Sequence, residues 1–212
     1  MRSHHGAVVA TANRRALFVA LLVGIAFASV ACHGIPPVDT KPLDGAGMTY
    51  DSIKQLQTLK ISTPEVAEIV LAKSAGISDA TCVTLFKISR ERQRPFDSGD
   101  AIAGLFKAGV SENTIIELAK LDELGISAGE LEAMRLAGLS DSTLLEVARH
   151  RAANQPVLSG ASLAELKNAG LRESTLFELA RRGVPDSKAG EIRSFRRHGG
   201  TDAAILSHFS GS

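Results

Sequence analysis

Tryptophan is absent from this 212-residue chain, tyrosine occurs once and cysteine only twice. With so few aromatic rings the chain has little to stack against sugars or bases, and its core must come from Leu, Ile, Val and Ala. Neither sign of charge is in excess, since 24 basic side chains face 23 acidic ones. Such a balance lacks the clustered Lys and Arg that nucleic acid would require. No stretch alternates apolar and polar residues with period two, so strands are not expected. Nucleophile elbows and phosphate-binding loops are also missing. His150 lies between Arg149 and Arg151, whose charge disfavours a group that must accept a proton. His198 and His208 flank the end of the last repeat, but no Cys or second carboxylate is spaced to complete a metal site. Neither an enzyme nor a bound metal or cofactor is expected.

What is present begins with Arg14-Arg15, an apolar run from Ala16 to Ala28, and then Ser29-Val30-Ala31-Cys32. A basic segment, about a dozen apolar residues and small residues before a cut are the parts of a secretory signal peptide. The run is shorter than the ~18–20 residues a membrane-spanning helix needs. Ser29-Val30-Ala31-Cys32 resembles the lipobox of bacterial lipoproteins, with Ser29 where leucine is usual. The resemblance implies cleavage before Cys32 and lipid attached to its sulfur and freed amine. Ordinary cleavage near Ala28 or Ala31, or an uncut anchor, are the alternatives, and all three place residues 33–212 outside the cytoplasm. Asn13-Arg14-Arg15-Ala16-Leu17 also loosely resembles a twin-arginine signal. Loss of residues 1–31 leaves 21 basic against 23 acidic side chains. Cys82 then has no partner, and its setting in Cys82-Val83-x-Leu85-Phe86 predicts a buried small hydrophobe.

Residues 32–47 hold Pro36, Pro37 and Pro42 and little apolar periodicity, and read as a tether. Beyond it one phrase recurs: Ala46-Gly47-Met48-Thr49, Ala75-Gly76-Ile77-Ser78-Asp79, Ala108-Gly109-Val110-Ser111-Glu112, Ala137-Gly138-Leu139-Ser140-Asp141 and Ala169-Gly170-Leu171-Arg172-Glu173. His198-Gly199-Gly200-Thr201-Asp202 is a sixth, degraded copy. The glycines lie 29, 33, 29, 32 and 29 residues apart, the scale of stacked supersecondary units. In each phrase Gly suits the left-handed position past a helix end, the next apolar residue folds back, Ser caps the following helix and the acid sits in its first turn. Ser127-x-x-Glu130 reads as a capping box, and Thr63-Pro64 as another helix start. Stripes such as Ile115-Ile116-x-Leu118-Ala119 and Leu176-Phe177-x-Leu179-Ala180 are amphipathic helix faces. Residues 87–94 read as a solvated helix end.

A shift of 61 residues superposes Pro95-x-x-Ser98-Gly99 on Pro156-x-x-Ser159-Gly160, and Glu117-Leu118-Ala119 on Glu178-Leu179-Ala180. The expected fold is therefore all-α, with about eleven short helices in tandem hairpins stacked as a small solenoid-like or compact domain. Residues 48–212 form this domain, with a partial unit at 48–92 and full units at 98–153 and 159–208. The period is near that of tetratricopeptide repeats, but their Trp, Gly and Tyr positions are missing. Leu166-Lys-Asn-Ala-Gly170-Leu171 is similar to short helical hairpins at the ends of some bacterial membrane-associated proteins.

These features predict an exported, lipid-anchored, non-catalytic protein that serves as an interaction or scaffold module in the cell envelope. Its expected partners are the membrane, through lipid at Cys32, and an envelope protein or peptide. His33 after the cysteine agrees with the periplasmic face of an outer membrane. Glu117 and Glu178 belong to the binding surface if the exposed faces of the two units form one. A structural spacer and a carrier of a small apolar ligand are the alternatives.

Overall fold

The six glycine phrases each end one helix and start the next. The computed structural model describes residues 38–125 and 127–209; Cys32 and the leader lie outside them. The described residues form α1 (Lys41–Gly45), α2 (Tyr50–Thr58), α3 (Thr63–Ser74), α4 (Asp79–Glu91), α5 (Gly99–Lys107), α6 (Glu112–Leu121), α7 (Ala128–Leu136), α8 (Asp141–Ala152), α9 (Gly160–Asn168), α10 (Glu173–Arg181), α11 (Ala189–Arg197) and α12 (Asp202–His208), with a single 3-10 turn at Asp186–Lys188. The fold is all-helical, as the sequence predicts.

Successive pairs make six hairpins, and the hairpins stack in two layers. The odd-numbered helices pack in order from α1 to α11, and the even-numbered ones from α2 to α12. The substantial helix contacts among the described residues fall within a hairpin or between successive hairpins. This nearest-neighbour pattern belongs to an open repeat stack. Its core is a continuous seam of buried Leu, Ile, Val and Met between the layers, with Phe86 and Cys82 wholly buried. Burial pushes the Cys82 thiol up to about 12, so it packs as an uncharged hydrophobe.

Two kinds of joint make the stack. Within hairpins Gly47, Gly76, Gly109, Gly138, Gly170 and Gly199 all adopt positive φ. At Gly109, φ is 90°, the Gly109 N–H donates to Phe106 O at 2.9 Å and the Val110 N–H to Leu105 O at 3.0 Å. Both bonds satisfy carbonyls that the end of α5 leaves open, and they bring Val110 back onto the core. Between hairpins the left-handed residue is Lys60, Gln93, Asp122, Asn154 or Gly183. Four of these five carry a side chain, which is why no glycine period marks this second set.

The proline-bearing segment departs from expectation. The chain is folded from α1 onward, so residues 41–47 belong to the domain and not to a tether. Pro42 takes a position at the helix start where its missing N–H costs nothing, and Leu43 is fully buried. With α1 counted there are twelve α-helices among the described residues. The first unit then holds four helices like the other two, although α1 is only five residues long.

Helix starts also differ in detail. Ser78, Ser111 and Ser140 cap α4, α6 and α8 through their hydroxyls, as expected. The capping box at Ser127 does not form. The Ser127 hydroxyl bonds Glu123, while Glu130 reaches across to Arg151 and to the Gly160 N–H. The capping box is instead Ser62 with Glu65, at the start of α3.

Residues 87–94 are a solvated end only in part: Lys87, Glu91, Gln93 and Arg94 are exposed, but Ile88 is buried and Arg90 is engaged. Arg90 grips both oxygens of the buried Glu65 at 2.7 and 2.6 Å and lies over the Phe86 ring. Glu65 also accepts from the Phe96 N–H at 2.9 Å, which ties the loop before α5 to α3. Burial alone would raise the Glu65 pKa, but Arg90, Phe96 and Ser62 outweigh it and hold it at about 2.

Candidate interaction surface

The acid that follows each turn does more than sit at a helix N-terminus. Asp79 accepts from the Thr49 N–H of the preceding hairpin at 2.7 Å. Glu112 does the same from Ser78 at 3.0 Å, Asp141 from Ser111 at 3.0 Å, Glu173 from Ser140 at 2.9 Å and Asp202 from Arg172 at 3.0 Å. Four of these carboxylates also accept from a buried or half-buried threonine hydroxyl, while Asp79 accepts from the exposed hydroxyl of Thr49. Thr81 donates to Glu112, Thr114 to Asp141, Thr143 to Glu173 and Thr175 to Asp202. Lys73, Arg135, Lys167 and Arg196 supply the countercharge on the same hairpin as Asp79, Asp141, Glu173 and Asp202. Burial would raise these five carboxyls, but their donors and cations prevail and lower all of them, Asp79 to about 2.

This ladder is a structural seam, and sequence reasoning missed it. The available signal was Thr three residues after the capping position, at Thr81, Thr114, Thr143 and Thr175. The ladder stops at both ends. Tyr50 stands where the first hairpin would carry the acid, and Ala204 where the last would carry the threonine.

The 61-residue period has a physical origin here too. Arg135 donates to Gly109 O at 3.0 Å, and Arg196, 61 residues on, to Gly170 O at 2.7 Å. Gly99 and Gly160 open α5 and α9 against the preceding odd-numbered helix. A Cβ on Gly99 would meet Glu68 O at 2.1 Å, and one on Gly160 would meet Glu130 and Met134 below 3.0 Å.

What remains at the surface is ordered. On the even layer Glu117, Glu146 and Glu178 occupy one row, and Lys120, Arg149 and Arg181 a second row three residues on. Their pairs close at 2.7, 3.1 and 2.7 Å. Glu178 also holds Arg182 at 2.7 Å, and its two arginines keep its pKa at about 2. Glu117 and Glu178 therefore do lie at equivalent places on one layer, with Glu146 between them.

The other candidates scatter. Glu191 pairs with Lys188 and His208, and His208 stacks on Phe195. His198 bonds its own helix at Ser194 O, and His150 packs beside Gly183 and Arg181 O. No group of three His, Cys, Asp or Glu side chains suited to a metal occurs among the described residues. A hollow of about 280 Å³ lies between α4, α6 and the loops that follow them. Its rim of Arg94, Asp97 and Asp122 suits an apolar ligand poorly, and an Arg94–Asp122 ion pair at 2.6 Å closes part of it. Among the described residues no helix is long and apolar enough to cross a membrane. No protein-family model matches the chain, and no curated protein matches it.

Proposed function

We propose that the protein is exported, held to the envelope membrane by lipid on Cys32, and acts as a non-catalytic interaction module. The observation that carries the reading is the even layer's repeated charge pairs, Glu117–Lys120, Glu146–Arg149 and Glu178–Arg181, one on each of three successive hairpins. A regular array of this kind fits an extended protein or peptide partner with alternating charge. The anchoring half rests on the Arg14-Arg15, apolar run and Ser29–Cys32 pattern.

Two measurements test it. Mass spectrometry of the mature N-terminus should find an acylated Cys32; an unmodified Cys32 removes the anchor. Affinity capture from the native envelope should recover a partner with the parent chain and lose it with Lys120→Glu/Arg149→Glu. Those side chains are more than half exposed, so the melting curve should not move. Unaltered capture by the double variant would take this layer out of the binding surface and favour the spacer reading.

A further inference from the structure

The anchoring reading acquires a geometric consequence, and the following rests on it. Val38, only six residues after Cys32, already packs against the core. A chain of that length reaches at most about 20 Å, so the first hairpins stay close to the lipid surface.

The exposed side of the odd layer changes character along the stack. At its start a shallow hollow between α1 and α3 is formed by Pro42, Ala67, Val70 and Leu71, with Asp39 and Thr63 at its edge. Leu71 is 44 % exposed, one of three large hydrophobic side chains so exposed among the described residues. Pro42, at the start of the five-residue α1, and Val70 and Leu71, near the end of α3, lie on the two sides of the hollow. Four hairpins further on, the hollow between α9 and α11 has a charged lining, although the places of Ala67 and Leu71 hold the uncharged Gly190 and Ser194. Glu165 stands at the place of Pro42 and Arg193 at that of Val70, joined by an ion pair at 2.6 Å. The hollow of the odd layer is thus apolar at the end where the tether is rooted and charged at the far end.

We propose that the α1–α3 hollow is the membrane-contacting face of the domain, with Leu71, Val70 and Pro42 seated in the lipid interface beside the anchor. Apolar side chains gain by entering that boundary, and a short leash keeps them there at high local concentration. The charged layer on the even side is then left free for a partner.

The absence of tryptophan makes the test direct. Leu71→Trp, Leu136→Trp and Tyr50→Trp each give the full chain a single indole at an exposed site, since Leu136 and Tyr50 are 70 % and 69 % exposed. The purified lipidated proteins are placed in phosphatidylethanolamine–phosphatidylglycerol vesicles containing acyl-brominated lipid. Emission at position 71 should shift to the blue and be quenched at least about twofold more than at 136 or 50, as for a side chain buried a few ångströms into the interface. Equal weak quenching at all three sites overturns the proposal. A concentration-dependent blue shift at 71 without vesicles also overturns it, because a second copy then covers the hollow. Mass spectrometry of the same samples reports Cys32 acylation separately. If Cys32 proves unacylated, its thiol is coupled to a maleimide lipid in the vesicles, which Cys82 cannot contest because it is buried. Quenching at 71 in that arm sustains the face although the natural anchor has failed, and its absence removes the face as well.

Discussion

Glu65 is the site where one charge holds most. Its side chain is nearly inaccessible, and it accepts from Arg90 twice, from the Phe96 N–H and from Ser62. These groups come from α3, α4 and the loop that leads into α5, so Glu65 joins two hairpins. A fall in its pKa from 4.5 to about 2 corresponds to about 3 kcal/mol of stability at neutral pH. The sign follows from the depressed folded value: the contribution is complete above 4.5 and is lost as pH falls through about 2. Glu65→Gln keeps the shape and removes the charge, which strands the Arg90 guanidinium beside a neutral amide. Urea unfolding of parent and variant, followed by circular dichroism at fixed ionic strength, should differ by about 3 kcal/mol at pH 7. The gap should narrow steadily between pH 4.5 and pH 2, because the protonated parent becomes chemically like the variant. The ladder carboxylates titrate in both proteins and cancel in the difference. A gap below about 0.5 kcal/mol at pH 7, or one that does not change with pH, would refute the assignment of that energy to Glu65 ionisation.

Gly109→Val and Gly138→Val should each cost about 1–3 kcal/mol through backbone strain alone, since φ is 90° and 82° and neither site is crowded. Thermal melts unchanged from the parent would deny the left-handed turn. Gly99→Ala should cost about 1–3 kcal/mol for the opposite reason, because its φ is ordinary and its Cβ would strike Glu68 O; a neutral melt there would mean that α3 and α5 separate easily. Thr143→Val removes a wholly buried hydroxyl that donates to Glu173 at 2.6 Å, and should cost about 1–3 kcal/mol by urea unfolding. Ser52→Ala, at the same repeat position but with a hydroxyl that accepts from Thr49 instead of donating to Asp79, should cost less.

The hairpins were legible because each inner turn needs a left-handed residue, and glycine advertises it. The outer turns were not, because Lys60, Gln93, Asp122 and Asn154 adopt the same conformation under tertiary constraint. Pro42 misled for a related reason: proline ends periodic patterns in a sequence, yet at a helix start it is accommodated without loss. The acids at Asp79, Glu112 and Asp141 were visible, but a local reading assigned them to their own helices. Their stronger partners lie about thirty residues back, a distance that only the stacked hairpins close. Glu130 shows the same displacement in reverse, leaving the local serine for Arg151 and Gly160. The Glu117 and Glu178 positions could be matched by periodicity, whereas the apolar hollow needs Pro42 of α1 beside Val70 and Leu71 of α3, a pairing hidden while Pro42 reads as part of a tether.

Tyr50 and Ala204 give the ladder a polarity that governs how such a protein can grow. Each interior hairpin offers a carboxylate backward and a pair of donors forward, so copying an interior 61-residue block would join without a mismatched seam. Two whole molecules placed head to tail would instead present an aromatic ring where a carboxylate must go, and a methyl group where a hydroxyl must go. The chemistry therefore favours lengthening from within over fibres built from separate molecules.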